Sequence, residues 1–296
     1  FSTGYFQLRN RLAMLVDTHS WKDYPTRVKI THDTILSVIK HIGIHGKSWQ
    51  AQARSADQAS MQLAGKSLAL NYKNTEASRI IEFQGYAYTR TQSDISGATM
   101  TRYDESKPQV WKVKLQDEVV PQVTAQLPRA GYIVPAAFAD KVEIKLRQHG
   151  IIYQKLTKAL EEQEFDTFRA TKFEFSSQSV EHHQMLKVTG AWSKEPHTQS
   201  SGALFVPVQQ AKARLVATLF EPLGGDSLLN WGWFNNAFEV KEYMEAYVAE
   251  DFARETLQTS EALRTEFEQK LANVPIFRSN PAQRLGFFAK RHPSWD

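Results

Sequence analysis

Cysteine is absent from the 296 residues. That excludes a disulfide framework, a thiolate metal site and a thiol nucleophile, and leaves oxidising and reducing compartments equally compatible. Long hydrophobic runs are missing as well. No stretch approaches the roughly 20 apolar residues that a spanning helix needs, so no membrane span is expected. No block of Lys and Arg stands out and the net charge is only +4, so nothing points to nucleic acid as a partner. Gly-x-Ser-x-Gly does not occur, which removes the usual elbow for a serine nucleophile. Gly224-Gly225 is not followed by Lys and Ser or Thr, so no phosphate-cradling loop is present. None of the nine histidines has a glutamate three residues on, so the His-x-x-Glu pair of many zinc sites is also missing.

What is present reads as globular protein of about two domains: 42% apolar and 23% charged residues do not fit disorder. The chain opens on Phe1 rather than Met, and it reads as an internal piece of a longer protein. The stretch that organises the reading is Leu12-Ala13-Met14-Leu15-Val16-Asp17. Five apolar residues in a row suggest a strand buried on both faces of a parallel α/β sheet. In such sheets ligands bind just beyond the carboxyl ends of the strands, so Asp17 is a candidate catalytic carboxylate. The alternative is a carboxylate that caps a turn. Arg9 and Arg11, just upstream, carry guanidinium forks that can hold a carboxylate, or are ordinary surface charge.

After a connection holding Pro25, a helix is expected from Thr31, with Ile35, Val38, Ile39 and Ile42 on one face and Gly43 and Gly46 as candidate stops. Residues 48–65 make a weakly patterned boundary. Strands are expected over 68–72, 80–88, 111–115, 173–175, 186–188, 204–208 and 215–219, which together suggest a β-sandwich-like module. One helix interrupts them, from Pro135 to His149, with Gly150 placed as a C′ glycine. The tail turns helical: Val240, Tyr243, Met244, Tyr247 and Val248 form a stripe, and Ser260 caps a helix carrying Leu263, Phe267 and Leu271. The aromatic end, from Arg284 to Asp296, is expected to pack on what precedes it. His41 and His45, four apart, would share a face only if the helix runs through the two glycines. His182 and His183 would point apart in a strand and be solvated. Trp192, Trp231 and Trp233 suit a stacking platform for a sugar or a base, or core packing.

The segments Ser2-Thr3-Gly4-Tyr5, Leu8-Arg9-Asn10-Arg11 and Leu15-Val16-Asp17-Thr18-His19-Ser20-Trp21-Lys22 resemble the end of the catalytic domain in bacterial zinc carboxypeptidases of the carboxypeptidase A-like family. Further pieces, among them Ala130 to Pro135, His149-Gly150-Ile151, Leu219 to Leu223 and Phe287 to Asp296, look like the extended carboxyl-terminal region of its larger members. The resemblance implies a fold: residues 1–60 end an α/β/α peptidase sandwich, and 61–296 form a family-specific α+β region, β-rich over 66–222 and helical over 226–296. It also implies an activity, the hydrolysis of carboxyl-terminal residues from peptides, and a secreted or periplasmic location. Zinc would be the cofactor, polarising the scissile carbonyl and activating a water, with its ligands upstream of residue 1. The family's general base is a glutamate, and its role falls on Asp17. Asp is one methylene shorter, a deficit of roughly 1.5 Å, and a misplacement of about 1 Å can cost on the order of a hundredfold in rate. A catalytically degenerate homologue, or a non-catalytic module binding peptide or glycan, is the rival expectation. Neither Tyr5 nor Arg9 is given a family role.

Overall fold

The computed structural model describes residues 2–239 and 243–294. The chain divides into two compact units, Phe1–Asn235 and Asn236–Asp296. The first mixes helices with small antiparallel sheets. It opens with α1 (Ser2–Leu8) and α2 (Tyr24–Ser60), followed by β1 (Ser67–Asn74), β2 (Arg79–Gln92), β3 (Thr99–Leu115), β4 (Val119–Gln126) and β5 (Gly131–Val134). Then come α3 (Ala136–His149), β6 (Gln154–Lys155), β7 (Leu160–Phe175), β8 (Leu186–Gln199), β9 (Leu204–Pro207) and α4 (Ala213–Phe220).

Every strand pairing among the described residues is antiparallel. The β2–β3 hairpin is nested inside the β1–β4 pair, β7 and β8 form a second long hairpin, and a three-stranded sheet has the order β5-β9-β6. That small sheet is the centre of the first unit. Tyr132, Val134, Leu204 and Val206 pack with Ala139, Val142 and Leu146 of α3 and with Leu215, Val216 and Ala217 of α4. Val142, Leu146, Leu204, Val206 and Val216 are wholly shielded from solvent. The long hairpins are more open, with Phe83, Trp192 and Phe173 half in solvent.

The second unit holds α5 (Ala246–Thr259), α6 (Glu261–Asn273), α7 (Pro275–Ser279) and α8 (Pro281–Ala289). Its core is a knot of rings: Phe277, Phe287 and Phe288 are buried and Phe267 packs on all three at 4.9–5.7 Å. The aromatic end of the chain is thus packed as far as His292, whose ring meets Phe252 at 4.8 Å, while Trp295 and Asp296 lie outside the described residues. Ser260 caps α6 as expected, accepting from the Leu263 amide at 3.3 Å. The stripe ahead of it is broken: Val240 lies outside the described residues and Tyr243 precedes α5, exposed.

Four expectations are corrected. The run Leu12–Val16 is not a strand: residues 11–19 form no ladder, and Leu12, Met14, Leu15 and Val16 are exposed. A two-faced buried strand needs pairing partners on both sides, and no described strand pairs with this run. The helix does not begin at Thr31 but at Tyr24, with Asp23 extended before it and Pro25 in its first turn, where a missing N–H costs nothing. Gly43 and Gly46 do not stop it; the helix runs 37 residues and through the expected boundary. Finally, Leu215–Leu219 is helical, because Ala213, Leu215, Val216 and Ala217 are all buried and the alternation of two faces that a strand would need is absent. By contrast, Gly150 does end α3, at φ +60°, the left-handed turn that glycine enters without steric cost.

Candidate functional site

Asp17 sits midway along an irregular bridge whose two ends are held. At the start, the Asn10 side chain donates to Asp57 at 3.1 Å and to Ser60 at 3.0 Å, both at the end of α2. Arg11 then grips the Asp57 carboxylate with both guanidinium nitrogens, at 3.0 and 2.9 Å. Arg11 therefore does hold a carboxylate, but one of this chain's own. Its hydrogen bonds, with help from Asn10, keep the Asp57 pKa below its ordinary value. Arg9 donates to the Tyr5 hydroxyl at 3.1 Å instead.

At the far end, His19 stacks on Trp21 with centroids 4.1 Å apart, Trp21 leans on Tyr103 of β3, and Lys22 pairs with Glu105 at 3.0 Å. Between these anchors the Asp17 carboxylate is exposed, and no described side chain bonds to it. The carboxylate is thus open to solvent on a bridge that is anchored at both ends.

Metal chemistry has little to work with in these residues. His41 and His45 do share a face of α2, their rings stacked 5.9 Å apart with Trp49 one turn on. Two imidazoles are not a closed site, and no group of three His, Cys, Asp or Glu converges among the described residues. The residues described do not fit a zinc ion.

His182 and His183 are in a tight turn rather than a strand. Glu181 and His182 have φ of +50° and +64°, and Val180 bridges to His183. That turn separates the two residues: His182 is exposed, while His183 is half-buried beside two of the expected tryptophans. Its ring meets Trp231 edge-on at 5.7 Å and stacks on Trp233 at 6.2 Å. Gly232 makes this possible. Its φ is +75°, and a Cβ there would lie 2.3 Å from the Gln184 carbonyl oxygen. Asn235 donates to that same carbonyl at 2.8 Å, and the Asn230 carbonyl accepts from the Leu186 amide at 2.8 Å. The 224–235 loop is thereby stapled to the start of β8. Trp192 does not join the other two; it packs on Phe168 across the β7–β8 hairpin.

Trp231, Trp233 and His183 line a cleft of about 770 Å³, bounded also by α1, β1, α3 and α4. Lys145 of α3 and Arg214 of α4 enter it, both half-buried. Tyr5 and His149 close one wall through a 2.9 Å hydrogen bond. Burial, followed by the charges of Lys145, Arg9 and Lys212, holds the His149 imidazole below its ordinary pKa. Trp231 and Trp233 stand out in the sequence together with Trp192, as a platform or as core packing. Lys145, Arg214 and His183 do not, because they come from sequence positions up to 69 residues apart with no motif to tie them.

No family model, no curated protein and no solved structure matches the chain.

Proposed function

We propose that this chain forms the carboxyl-terminal part of a zinc-dependent metallocarboxypeptidase that removes carboxyl-terminal residues from peptides, with Asp17 as its general base. The observation that carries the reading is the exposed apolar run that ends in Asp17. Leu12, Met14 and Leu15 are 71%, 61% and 65% exposed. Full burial of each would be worth about 1.5–3 kcal/mol. On α2, Ile35, Ile39 and Ile42 leave a stripe equally open, at 53%, 57% and 50%. Surface of this kind, in a sequence resembling the last strand and helix of a peptidase sandwich, is what the rest of such a domain would cover.

In that setting Asp17 takes the proton of the attacking water and returns it to the leaving amine. The zinc ligands belong to residues outside those described here, and the protein acts in the periplasm or outside the cell. The run's resemblance carries the assignment; the cleft around Trp231 and Trp233 favours a second reading, a module that binds peptide or glycan without catalysis.

Metal content separates the two. The full-length protein is expected to release carboxyl-terminal amino acids in a chelator-sensitive reaction and to hold one equivalent of zinc. The 296-residue chain alone is expected to hold none and to be inactive. Tight zinc binding by this chain, or full-length protein that neither binds zinc nor cleaves, would overturn the proposal.

A further inference from the structure

The cleft between α1, α3, α4 and the 224–235 loop has a composition that its packing does not explain. Several arginines of this chain are paired with carboxylates: Arg11 with Asp57, Arg79 with Asp117, Arg291 with Glu266. The Arg214 guanidinium, half-buried in the cleft, makes no hydrogen bond or ion pair with any described residue. Lys145 has no carboxylate partner among the described residues either; its ammonium lies 5.6 Å from the Trp233 ring. Half-burying two cations without counter-charges is costly unless something anionic visits them.

The carboxylates nearby do not fill that role. Glu181 and Asp226 line the cleft from exposed positions, and Asp226 accepts from the Trp231 indole N–H at 3.2 Å. Alongside the cations stand three rings, Trp231, Trp233 and His183, half-buried and fixed by the Gly232 turn.

We infer that this cleft binds an organic anion bearing a planar ring, the ring against Trp231, Trp233 and His183 and the anionic group on Arg214 and Lys145. Its volume, about 770 Å³, falls in the range of small-molecule sites, roughly 300–1,000 Å³. Arg214 offers the fork that matches a carboxylate or a phosphate, and Lys145 a point charge on the same group. The site is separate from Asp17 and does not depend on the peptidase reading.

Isothermal titration of the whole chain tests it with four probes: N-acetyl-L-phenylalanine, phenyl phosphate, N-acetyl-L-phenylalanine amide and inorganic phosphate. The first two carry both ring and anion, and whichever binds tighter identifies the anion as carboxylate or phosphate. The third lacks the charge and the fourth lacks the ring. The expected result is saturable one-to-one binding of at least one aryl anion, tenfold or more tighter than either the amide or inorganic phosphate. Arg214→Gln and Lys145→Gln should each weaken it fivefold or more without moving the thermal midpoint. Because neither side chain has a hydrogen-bond or ion-pair partner among the described residues, neither change should unfold the protein. The inference is overturned if neither aryl anion saturates, if the amide binds as well as the acid, or if both substitutions leave the affinity unchanged.

Discussion

Glu221 is 4% exposed and accepts from the Tyr132 hydroxyl at 2.5 Å. Burial raises its carboxyl pKa above the ordinary 4.5, against the opposing pull of the Tyr132 and Trp192 hydrogen bonds. The Tyr132 phenol is pushed up as well, by burial first and then by the Glu221 charge. A raised carboxyl means the folded state holds the proton longer than the unfolded chain. The stability it contributes is fully present below pH 4.5 and is lost as pH rises through the folded value. Glu221→Gln should therefore flatten that downward slope in urea unfolding curves recorded between mildly acidic and neutral pH. An unchanged slope would mean that Glu221 does not titrate this way. Tyr132→Phe, which leaves the carboxyl short of its donor, should cost about 1–3 kcal/mol at neutral pH in the same assay. Asp57 has the opposite sign. Its pKa is lowered, so its contribution holds above its ordinary 3.8 and fades as pH falls through the folded value. At this scale the sequence was partly legible. Arg11 was readable as a carboxylate holder, but its partner Asp57 is 46 residues away and no local pattern connects them. Glu221 gave no signal at all, since its burial depends on β5 and α4 coming together.

At the scale of elements, what was local was readable and what was not local was missed. Gly150 after α3 and Ser260 before α6 were both placed correctly, because a cap is a few residues interacting with their own backbone. Helix α2 was cut short on paper because Gly43, Gly46 and Pro25 are breakers by propensity. In the fold, Pro25 lies in the first turn and the two glycines are carried within a continuous helix of 37 residues. A Cβ on Gly43 would meet nothing within 4 Å. Gly43→Ala is accordingly expected to stabilise the chain by roughly 0.5–1 kcal/mol in thermal or urea unfolding; a destabilisation would mean that the glycine serves a contact. The Leu215–Leu219 segment was misread because its alternation looked like a strand, whereas burial on all sides decided for the helix α4. Gly232 is the converse case. A side chain there meets both a positive φ and the Gln184 carbonyl, so Gly232→Ala should shift Trp231 and Trp233 and alter the tryptophan emission spectrum while leaving the far-ultraviolet circular dichroism unchanged.

For the whole molecule, cover differs from region to region. The core around β5, β9, α3 and α4 is closed, and so is the phenylalanine cluster of the second unit. The amino-terminal sixty residues are not: Leu12 to Val16 and the Ile35–Ile39–Ile42 stripe remain open to solvent. With that stripe open to solvent, Ile39→Glu should change the free energy of unfolding by no more than about 0.5 kcal/mol, and should reduce self-association in sedimentation runs. A large loss of stability would mean the stripe is already buried. The sequence indicated the helical stripe, but Leu12 to Val16 is not the buried strand expected, and neither was read as uncovered, because cover is a property of what surrounds an element.

The central claim concerns Asp17, and kinetics on the full-length protein test it most directly. Release of carboxyl-terminal residues from peptides would be compared between the native protein and Asp17→Asn at saturating substrate. A positioned general base contributes roughly 10²–10⁴-fold, so kcat should fall by that much while the thermal midpoint stays in place. Peptide hydrolysis that proceeds at the native rate in Asp17→Asn would contradict the assignment.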